Sequence, residues 1–500
     1  MKYPLLLKQT LIRASAILIV KIIGLSGKIY LIRSVGMEGV GLYQLAYSFY
    51  GLVIMCITGG LPTALAMYSS HSPVKGQAIL KKLGLFLMPL SLLISFITYS
   101  CAPRIAAWMG YPSLEVLLRI LSPAIFLVPL LALLRGYLQG TQHYGSIALS
   151  EIIEQALRIG LLILLVGLCL PYGQIPALGG AAAGTFAGAL GAFLLLLLYS
   201  RSILNTGQAL IPSKTEGYSM RSDLAVLLQM SVTIALTRLL IPFSDFMDSL
   251  IIPYRLQAAG VSSTEAVEVL GMITGVALVV AYTPTLITGA LSHTLTMQIT
   301  SYWKSGLHQE FYKRSKQAVE LAWIWGIASG CFIFSYHEEI ARLVFNTPAA
   351  APAIQALSAL PLIVGVREIT TSILWARDQK RIPFTGTVWG VALCIITLYV
   401  LVGVPGFSFM GIYLGFTILE LVSVIWNIRA LRPMRYIRSK LVILLVDLLY
   451  FEIISLFTVH ILRSHTGQWP ALVTSLCIYG LGTLIYLLFR IQRLIQRKTE

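Results

Sequence analysis

The fold is decided by the stretch SIALSEIIEQALRIGLLILLVGLCLPYGQIPALGGAAAGTFAGALGAFLLLLLYSR (146–201). It contains two predominantly apolar runs, 146–170 and 176–199, joined by a short turn that carries no Lys or Arg. As a helix rising about 1.5 Å per residue, each run can cross a hydrocarbon core of roughly 30 Å. Arg201 lies two residues after the second run. The stretch therefore predicts a helical hairpin inside a membrane.

Further apolar runs of similar length occur along the whole chain. Hydrophobic residues make up 57% of its 500 residues and charged residues 11%, with a mean hydropathy of +0.82. This composition is typical of polytopic membrane proteins. We therefore predict an all-α membrane protein with about fourteen transmembrane helices. The runs lie at 11–33, 39–65, 83–105, 114–135, 146–170, 176–199, 224–252, 266–292, 317–336, 349–370, 382–403, 408–428, 441–462 and 470–489.

The basic residues alternate with these runs. Most of the 37 Lys and Arg residues lie near the termini or in every second gap. Because cytoplasmic loops carry an excess of Lys and Arg, we predict that the N- and C-termini and all even gaps are cytoplasmic. A miscounted span would break the alternation, so the number of spans and their orientation support each other. The odd gaps hold only Arg33, Arg104, Arg119, Arg255, Arg342 and Arg463.

The net charge of +17 does not indicate a nucleic acid partner. The basic residues lie in short gaps beside apolar runs, where anionic membrane lipids are the expected contact. The six Cys lack CxxC spacing and the seven His lack HExxH spacing, so we predict no metal site. The outward gaps are short and hold few carboxylates or His. We therefore expect no catalytic residue, no cofactor and no enzymatic activity.

A polar stretch at 201–223 divides the chain into two similar parts. We predict an N-terminal lobe of six spans at 1–200 and a C-terminal lobe of six spans at 224–430. The remaining segment, 431–500, contains the last two spans and a basic cytoplasmic tail. An even number of spans per lobe predicts a parallel repeat, with the substrate path between the lobes.

Matching residues at one spacing support this repeat. Arg33 corresponds to Arg255 after the first span of each lobe, and Pro62 corresponds to Pro284 within the second span. The two prolines are predicted to bend helices that line the substrate path. The alternative is that they are ordinary prolines of membrane helices.

Charges within the first span need a reason, because a charge at mid-bilayer costs roughly 2.5–3.5 kcal/mol. Lys21 and Lys28 lie two turns apart on one helical face, with Gly24 between them. We predict that they and Arg33 bind an anionic substrate, since ammonium and guanidinium groups form strong hydrogen bonds with phosphate at low dielectric. The alternative for Lys28 is that it reaches the outer headgroups.

Span seven carries charges of both signs, at Arg238, Asp245 and Asp248, with Arg255 just beyond its end. We predict that Asp245 and Asp248 couple transport to H+ or Na+, with membrane potential as an alternative driving force. The two arginines are assigned to the cationic substrate site. The competing interpretation is a set of structural ion pairs that neutralise one another.

Span five contains Glu154 and Arg158, four residues apart in the favourable orientation for an ion pair. We predict a buried structural pair. Arg367, Glu368 and Glu420 lie in later runs, and the sequence assigns them no role.

Several motifs occur together: EGVGLYQ (38–44), GGLPTALA (59–66), RGYLQG (135–140) followed by EQALR (154–158), and RLQAAG (255–260). In combination they resemble the stage V sporulation protein B group of polysaccharide transporters and lipid II flippases, within the MOP (multidrug/oligosaccharidyl-lipid/polysaccharide) exporter superfamily. The resemblance implies two six-helix lobes plus two helices. It also implies alternating-access transport of undecaprenyl-linked peptidoglycan precursors across the cytoplasmic membrane.

The chain departs from that group at the cationic positions. The group typically has Arg where this chain has Lys21 and Lys28, and Lys keeps the charge but not the bidentate fork. Lipid II flippases of the better-known branch also place an Arg in spans two and eight, where this chain has no basic residue. The departure bears on the identity of the substrate more than on the fold.

These observations predict a monomeric flippase for an undecaprenyl-pyrophosphate-linked cell-wall precursor, with lipid II for the spore cortex as the leading substrate. One alternative is a cation-coupled multidrug exporter of the same superfamily, which would depend on Asp245 and Asp248 more than on the basic residues. Another is an exporter of a different lipid-linked polysaccharide unit.

Overall fold

A computed structural model describes residues 3–205, 220–431, 441–464 and 469–496. Throughout these ranges the regular elements are helices and no strand occurs, which confirms the all-α prediction. Most of the predicted linker 201–223 and the residues 432–440 lie outside the described part of the chain. The cytoplasmic location of the linker stays a prediction.

Eighteen α-helices succeed one another in the described ranges. Short 3₁₀ or π segments adjoin some of them, at Leu170–Tyr172, Gly271–Ala277, Ile340–Val344 and Pro348–Ala350. The helices are α1 (Tyr3–Thr58), α2 (Leu61–His71), α3 (Pro73–Trp108), α4 (Leu114–Gly140), α5 (Tyr144–Cys169), α6 (Gln174–Asn205), α7 (Met220–Ala258), α8 (Ser263–Leu270), α9 (Leu278–Tyr282), α10 (Thr285–Lys304), α11 (His308–Ser335), α12 (His337–Glu339), α13 (Ala351–Ala356), α14 (Leu360–Ala376), α15 (Arg381–Leu401), α16 (Ser408–Ala430), α17 (Leu441–Ser464) and α18 (Trp469–Gln496).

Twelve helical segments of the described residues are long and apolar enough to cross a membrane. The count rises to 13 if Pro348–Ala356 and Leu360–Ala376, which meet at an angle of 46°, form one broken span. One of the twelve, Leu18–His71, has 54 residues and covers both the first and the second predicted span. Gly36 interrupts it with a φ of 71°, a conformation that glycine adopts without steric cost. The number fourteen and the cytoplasmic termini stay predictions.

The contacts divide the chain into two compact units. One consists of Met1–Pro253 with Val267–Gly271, and the other of Tyr254–Ala266 with Met272–Glu500. Most of α7 therefore packs with the first unit, whereas the sequence analysis placed span seven at the start of the C-terminal lobe. The predicted lobe boundaries stay a prediction.

The first unit depends on close packing between α4 and α2. Gly136 and Gly140, one turn apart on α4, lie against the backbone carbonyls of Pro62 and Ala66 on α2. A Cβ at either glycine would overlap the facing carbonyl oxygen, so small residues are required at both positions. Such small-residue contacts are the usual means by which membrane helices approach closely. This contact explains the two glycines of the RGYLQG motif.

In the second unit α15 packs against α16 in a similar way. Gly390 lies against the carbonyl of Leu419, and Gly411 lies against Leu401. The helix α14 approaches α10 at Gly365, where an added Cβ would lie 3.2 Å from the Thr288 methyl carbon. These contacts bring the polar groups of α10, α14 and α16 within reach of one another.

Candidate functional site

The second predicted span is broken beside Pro62. The helix α1 ends at Thr58, two glycines follow, and α2 begins at Leu61. Gly59 has a φ of 48°, and Gly60 lies against the carbonyl of Ser231 on α7. Pro62 is tolerated at the start of α2 because its missing N–H would be unpaired there anyway.

A corresponding break lies beside Pro284 in the second unit. The helix α9 ends at Tyr282, and Pro284 is the residue that precedes α10. The indole Nε1 of Trp325 donates a hydrogen bond of 2.9 Å to the Pro284 carbonyl. Both prolines therefore lie at the start of a new helix. That these breaks bend during transport stays a prediction.

Next to the first break lies an ion pair between α4 and α5. Arg135 Nη1 is 2.7 Å from Glu154 Oε2, and Arg135 Nε donates a hydrogen bond of 3.0 Å to Ser150 Oγ. The four-residue spacing had predicted a pair of Glu154 with Arg158 instead, and this prediction is wrong. The two residues are one turn apart but meet different helices, Glu154 facing α4 and Arg158 facing α1.

Arg158 lies among tyrosines of α1. Its guanidinium carbon is 5.3 Å from the centre of the Tyr47 ring, a cation–π contact. Tyr47 stacks on Tyr43 with 4.2 Å between ring centres, and its hydroxyl shares a hydrogen bond with Thr185. The aromatic faces thus stabilise a cation that the sequence analysis had assigned to an ion pair.

The Arg135–Glu154 pair forms part of the wall of a cavity in the first unit, which we call the Arg135 cavity. Its volume is about 310 Å³. Three of its lining residues, Pro62, Glu154 and Arg238, belong to the predicted site. The others add polar groups and aliphatic surface: Thr63, Val128, Leu131, Ala132, Arg135, Gly136 and Gln139.

Arg135 is the residue that the sequence analysis missed. Because Arg135 lies at the end of an apolar run, its positive charge was interpreted as marking a cytoplasmic loop. The RGYLQG and EQALR motifs contain the two partners of this ion pair, Arg135 and Glu154. The spacing between them along the chain gives no geometric reason to join them.

The cations of the first span lie elsewhere on the first unit. Lys21 and Arg33 are exposed and Lys28 is half-buried, and none of the three lines the Arg135 cavity. Between the two lysines Gly24 faces α5, where an added Cβ would lie 2.8 Å from Gln155 Nε2. Arg238 therefore lines the Arg135 cavity without the lysine stripe.

The two aspartates of α7 differ in environment. Asp248 is only 4% exposed, whereas Asp245 is exposed. Ser244 Oγ donates a long hydrogen bond of 3.4 Å to Asp248 Oδ2, and Oδ1 has no hydrogen-bond partner among the described residues. An unpaired buried carboxylate is costly unless it binds a proton or a cation. Asp248 is thus the stronger candidate of the two for ion coupling.

Arg255 belongs to the second unit. Its guanidinium carbon lies 4.5 Å from the centre of the Tyr399 ring, and the missing side chain of Gly403 makes room for the guanidinium. Its Nε is buried and unpaired within the described ranges. A cation–π contact with α15 therefore positions this predicted substrate residue.

A second buried arginine cluster lies at the Pro284 break. Arg367 on α14 forms an ion pair with Glu420 on α16, and Tyr282 donates a hydrogen bond of 3.2 Å to Glu420 Oε1. Thr288 Oγ1 donates a 2.8 Å hydrogen bond to Glu368 Oε2. These three charged residues had no assignment from sequence, because their partners lie on separate helices.

Comparison with known families fits this arrangement of helices. A family model described as "Polysaccharide biosynthesis protein" matches residues 6–287. The chain belongs to this family. Stage V sporulation protein B of Bacillus subtilis (strain 168) is 26% identical over 420 residues, which cover 81% of this chain and 79% of that protein. Lipid II flippase MurJ of the same organism is 26% identical over 316 residues, 59% of this chain and 58% of that protein.

Solved structures show the same fold. An inward closed conformation of lipid II flippase MurJ superposes with a TM-score of 0.67 at 15% identity, covering 97% of this chain and 100% of that one. An inward-facing multidrug resistance MATE family transporter of the MOP superfamily gives 0.65 at 15% identity, covering 86% and 100%. This polysaccharide biosynthesis family protein is therefore a multi-pass membrane protein that shares its helical fold with MurJ and MATE transporters. The resemblance noted from sequence motifs is confirmed.

Proposed function

We propose that the chain moves a lipid-linked, pyrophosphate-bearing cell-wall precursor across the cytoplasmic membrane by alternating access, with lipid II for the spore cortex as the substrate. Its similarity to stage V sporulation protein B over 81% of its length is the observation that carries this proposal. The similarity to a protein named for lipid II transport supports the same substrate class. We further propose that the transporter acts as a monomer beside anionic lipids.

The distribution of charge supports an anionic substrate. Lys21, Lys28, Arg135 and Arg238 all lie on helices of the first unit that are long and apolar enough to span the bilayer. A cation inside the hydrocarbon core is costly without an anionic partner. The ion pair of Arg135 with Glu154 offsets one of these charges. The remaining positive charge suits a pyrophosphate, whose oxygens accept charge-assisted hydrogen bonds.

A second candidate function is a cation-coupled multidrug exporter. The buried, unpaired oxygen of Asp248 favours it, because a carboxylate in such a place can exchange a proton or Na+ during transport. Both candidate functions allow transport to be coupled to an ion, but their substrates differ. Coupling through Asp248 to H+ or Na+ is part of our proposal in either case.

The deciding experiment is a flipping assay with the full-length protein in proteoliposomes. Lipid II should be translocated faster than a polyprenyl-linked glycan of unrelated sugar composition. The Lys21→Ala variant should lose this activity, and Arg119→Gln, which alters an exposed pair with Glu115, should retain it. Transport of cationic drugs with no translocation of any lipid-linked glycan would favour the multidrug exporter.

A further inference from the structure

The helix α17 carries two carboxyl groups inside one membrane-spanning segment, Leu445–Ser464. Asp447 is fully buried, accepts a hydrogen bond from Tyr486 and forms an ion pair of 3.3 Å with Arg490 of α18. The charge of this carboxylate is therefore compensated. Glu452 lies five residues further along α17, and none of the ion pairs among the described residues includes it.

Glu452 lies deep within the span. It is seven residues from Leu445, the first residue of the span, and twelve from Ser464, the last. At about 1.5 Å per residue these separations are roughly 10 Å and 18 Å along the helix. On the outer side of α17 the neighbouring Leu449 and Leu456 are more than half exposed, as expected of side chains that face lipid. Hydrocarbon rather than water therefore surrounds the free side of this carboxyl group.

The basic residue of α17 is already bound elsewhere. Arg463 lies 2.9 Å from a carboxylate oxygen of Glu338 and 2.8 Å from one of Glu339. Eleven residues separate Arg463 from Glu452, or roughly 16 Å along the helix. An ionised carboxylate without a cation or water is costly inside a bilayer, and such a group normally takes up a proton instead.

Two titratable groups face Glu452 from the helices packed against α17. One is the thiol of Cys331 on α11, which shares a hydrogen bond with the Glu452 carboxyl group. The other is the hydroxyl of Tyr479 on α18, which donates a hydrogen bond of 2.6 Å to the Ala328 carbonyl. Thiol and phenol are neutral side chains at pH 7. Neither supplies the positive charge that an ionised Glu452 requires.

The contact of Glu452 with Cys331 belongs to a row of polar contacts, which we call the α11–α17 seam. Ser335 and Ser455, the other members, share a buried hydrogen bond of 2.8 Å between their hydroxyl oxygens. Ser335 lies one turn after Cys331 on α11, and Ser455 lies one turn after Glu452 on α17. Polar contacts of this kind hold membrane helices together. A neutral carboxyl group fits this row, because it both donates and accepts hydrogen bonds.

We propose that Glu452 holds a proton inside the membrane and that, as a neutral carboxyl group, it completes the α11–α17 seam. Loss of the proton would place an uncompensated charge in the seam, and α17 would then have to leave α11 to relieve it. Asp447 on the same helix stays ionised because Arg490 pairs with it. This proton site does not depend on the transported substrate and goes beyond the proposed function.

The first test is infrared spectroscopy of the full-length protein at neutral pH in dodecyl maltoside, a detergent without a carbonyl group. The carbonyl stretch of a protonated carboxylic acid is separate from that of a carboxylate. We expect this band in the wild-type protein, and we expect Glu452→Gln to lose the share of one carboxyl group. Asp447→Asn is the matched control on α17 and should leave the band unchanged, because Asp447 is ionised.

The second test is the pH dependence of unfolding. A carboxyl group that is protonated when folded and ionised when unfolded makes the folded state bind more protons, so stability falls as pH rises. Above about pH 5, where an exposed Glu is ionised, the folded-to-unfolded ratio should fall by up to about tenfold per pH unit relative to Glu452→Gln. A hydrogen bond of an ionised or merely structural Glu452 would give the two proteins parallel pH profiles.

An equal carboxylic acid band in the wild-type and Glu452→Gln proteins would overturn the proposal. Parallel pH profiles of unfolding would also overturn it. A Glu452→Gln protein that fails to fold would count against it as well, since a neutral amide of nearly the same shape should preserve the seam. Loss of lipid II translocation with both expected results intact would contradict the proposed function and leave the proton site standing.

Discussion

Arg367 on α14 forms a buried ion pair with Glu420 on α16, and the pair lies beside the helix break at Pro284. Glu420 is only 3% exposed. The first unit contains a similar arrangement, in which Arg135 pairs with Glu154 beside the break at Pro62. Each unit thus stabilises the region of a broken span with an arginine from a neighbouring helix.

This relationship predicts strong coupling between Arg367 and Glu420. Removal of either partner leaves a buried charge uncompensated, so the double variant should be less destabilised than the sum of Arg367→Gln and Glu420→Gln. We expect a coupling free energy of about 0.5–3 kcal/mol from thermal unfolding in detergent. The exposed pair Arg119–Glu115 is the matched control and should give roughly 0.2–1 kcal/mol. Equal coupling in both pairs would contradict a stabilising role for the buried one.

The cationic stripe of α1 gives a second prediction. Lys21→Ala should abolish transport without lowering abundance, because it removes a charge that is costly within the bilayer. Lys21→Arg should remain active, since it keeps the charge and adds a phosphate fork. Lys28→Ala should have a smaller effect on the transport rate. A fully active, normally abundant Lys21→Ala protein would exclude this lysine from substrate binding.

The unequal burial of the two aspartates gives a third prediction. Asp248→Asn should abolish ion-coupled transport yet leave the melting temperature unchanged or higher, because it removes a buried charge with an unpaired oxygen. Asp245→Asn, at an exposed position, should reduce transport less. Transport driven by an imposed H+ or Na+ gradient is the measurement. A marked loss of stability in Asp248→Asn, restored by Arg238→Gln, would instead indicate a structural pair.

Close packing of α4 on α2 gives a fourth prediction. Gly136→Ala places a methyl group against the Pro62 carbonyl, so α2 must shift or α4 must move away. We expect a loss of roughly 1–3 kcal/mol in the free energy of unfolding and lower abundance. Gly160→Ala in α5 is the control, since an added Cβ there meets open space. A neutral Gly136→Ala protein would show that this contact is dispensable.

The predicted orientation is tested by cysteine labelling in intact cells. Single cysteines introduced beside Gly173 or Gly406, or at Gln257, should react with a membrane-impermeant reagent. Cysteines at Lys81 and Gln309 should react only after the membrane is opened. The expectation follows from the excess of basic residues in the even gaps. Labelling of Lys81→Cys from outside would reverse the topology.

The sequence by itself determined the membrane fold and its class of transporter. A membrane-spanning helix can be recognised from the length and hydrophobicity of one segment, because every backbone polar group inside a bilayer must be paired within its own helix. Proline alone did not mark the breaks beside Pro62 and Pro284, because the helices α3, α4 and α7 continue through six other prolines. The short motifs, taken together, indicated the family.

Only the tertiary structure decided which charges meet. Glu154 and Arg158 had ideal spacing for a pair, yet Glu154 binds Arg135 on α4 and Arg158 contacts Tyr47 on α1. Asp245 and Asp248 lie about 60° apart around α7, enough to expose one and bury the other. Periodicity gives the direction of a side chain relative to its own helix. What lies in that direction depends on contacts between segments that are distant in sequence.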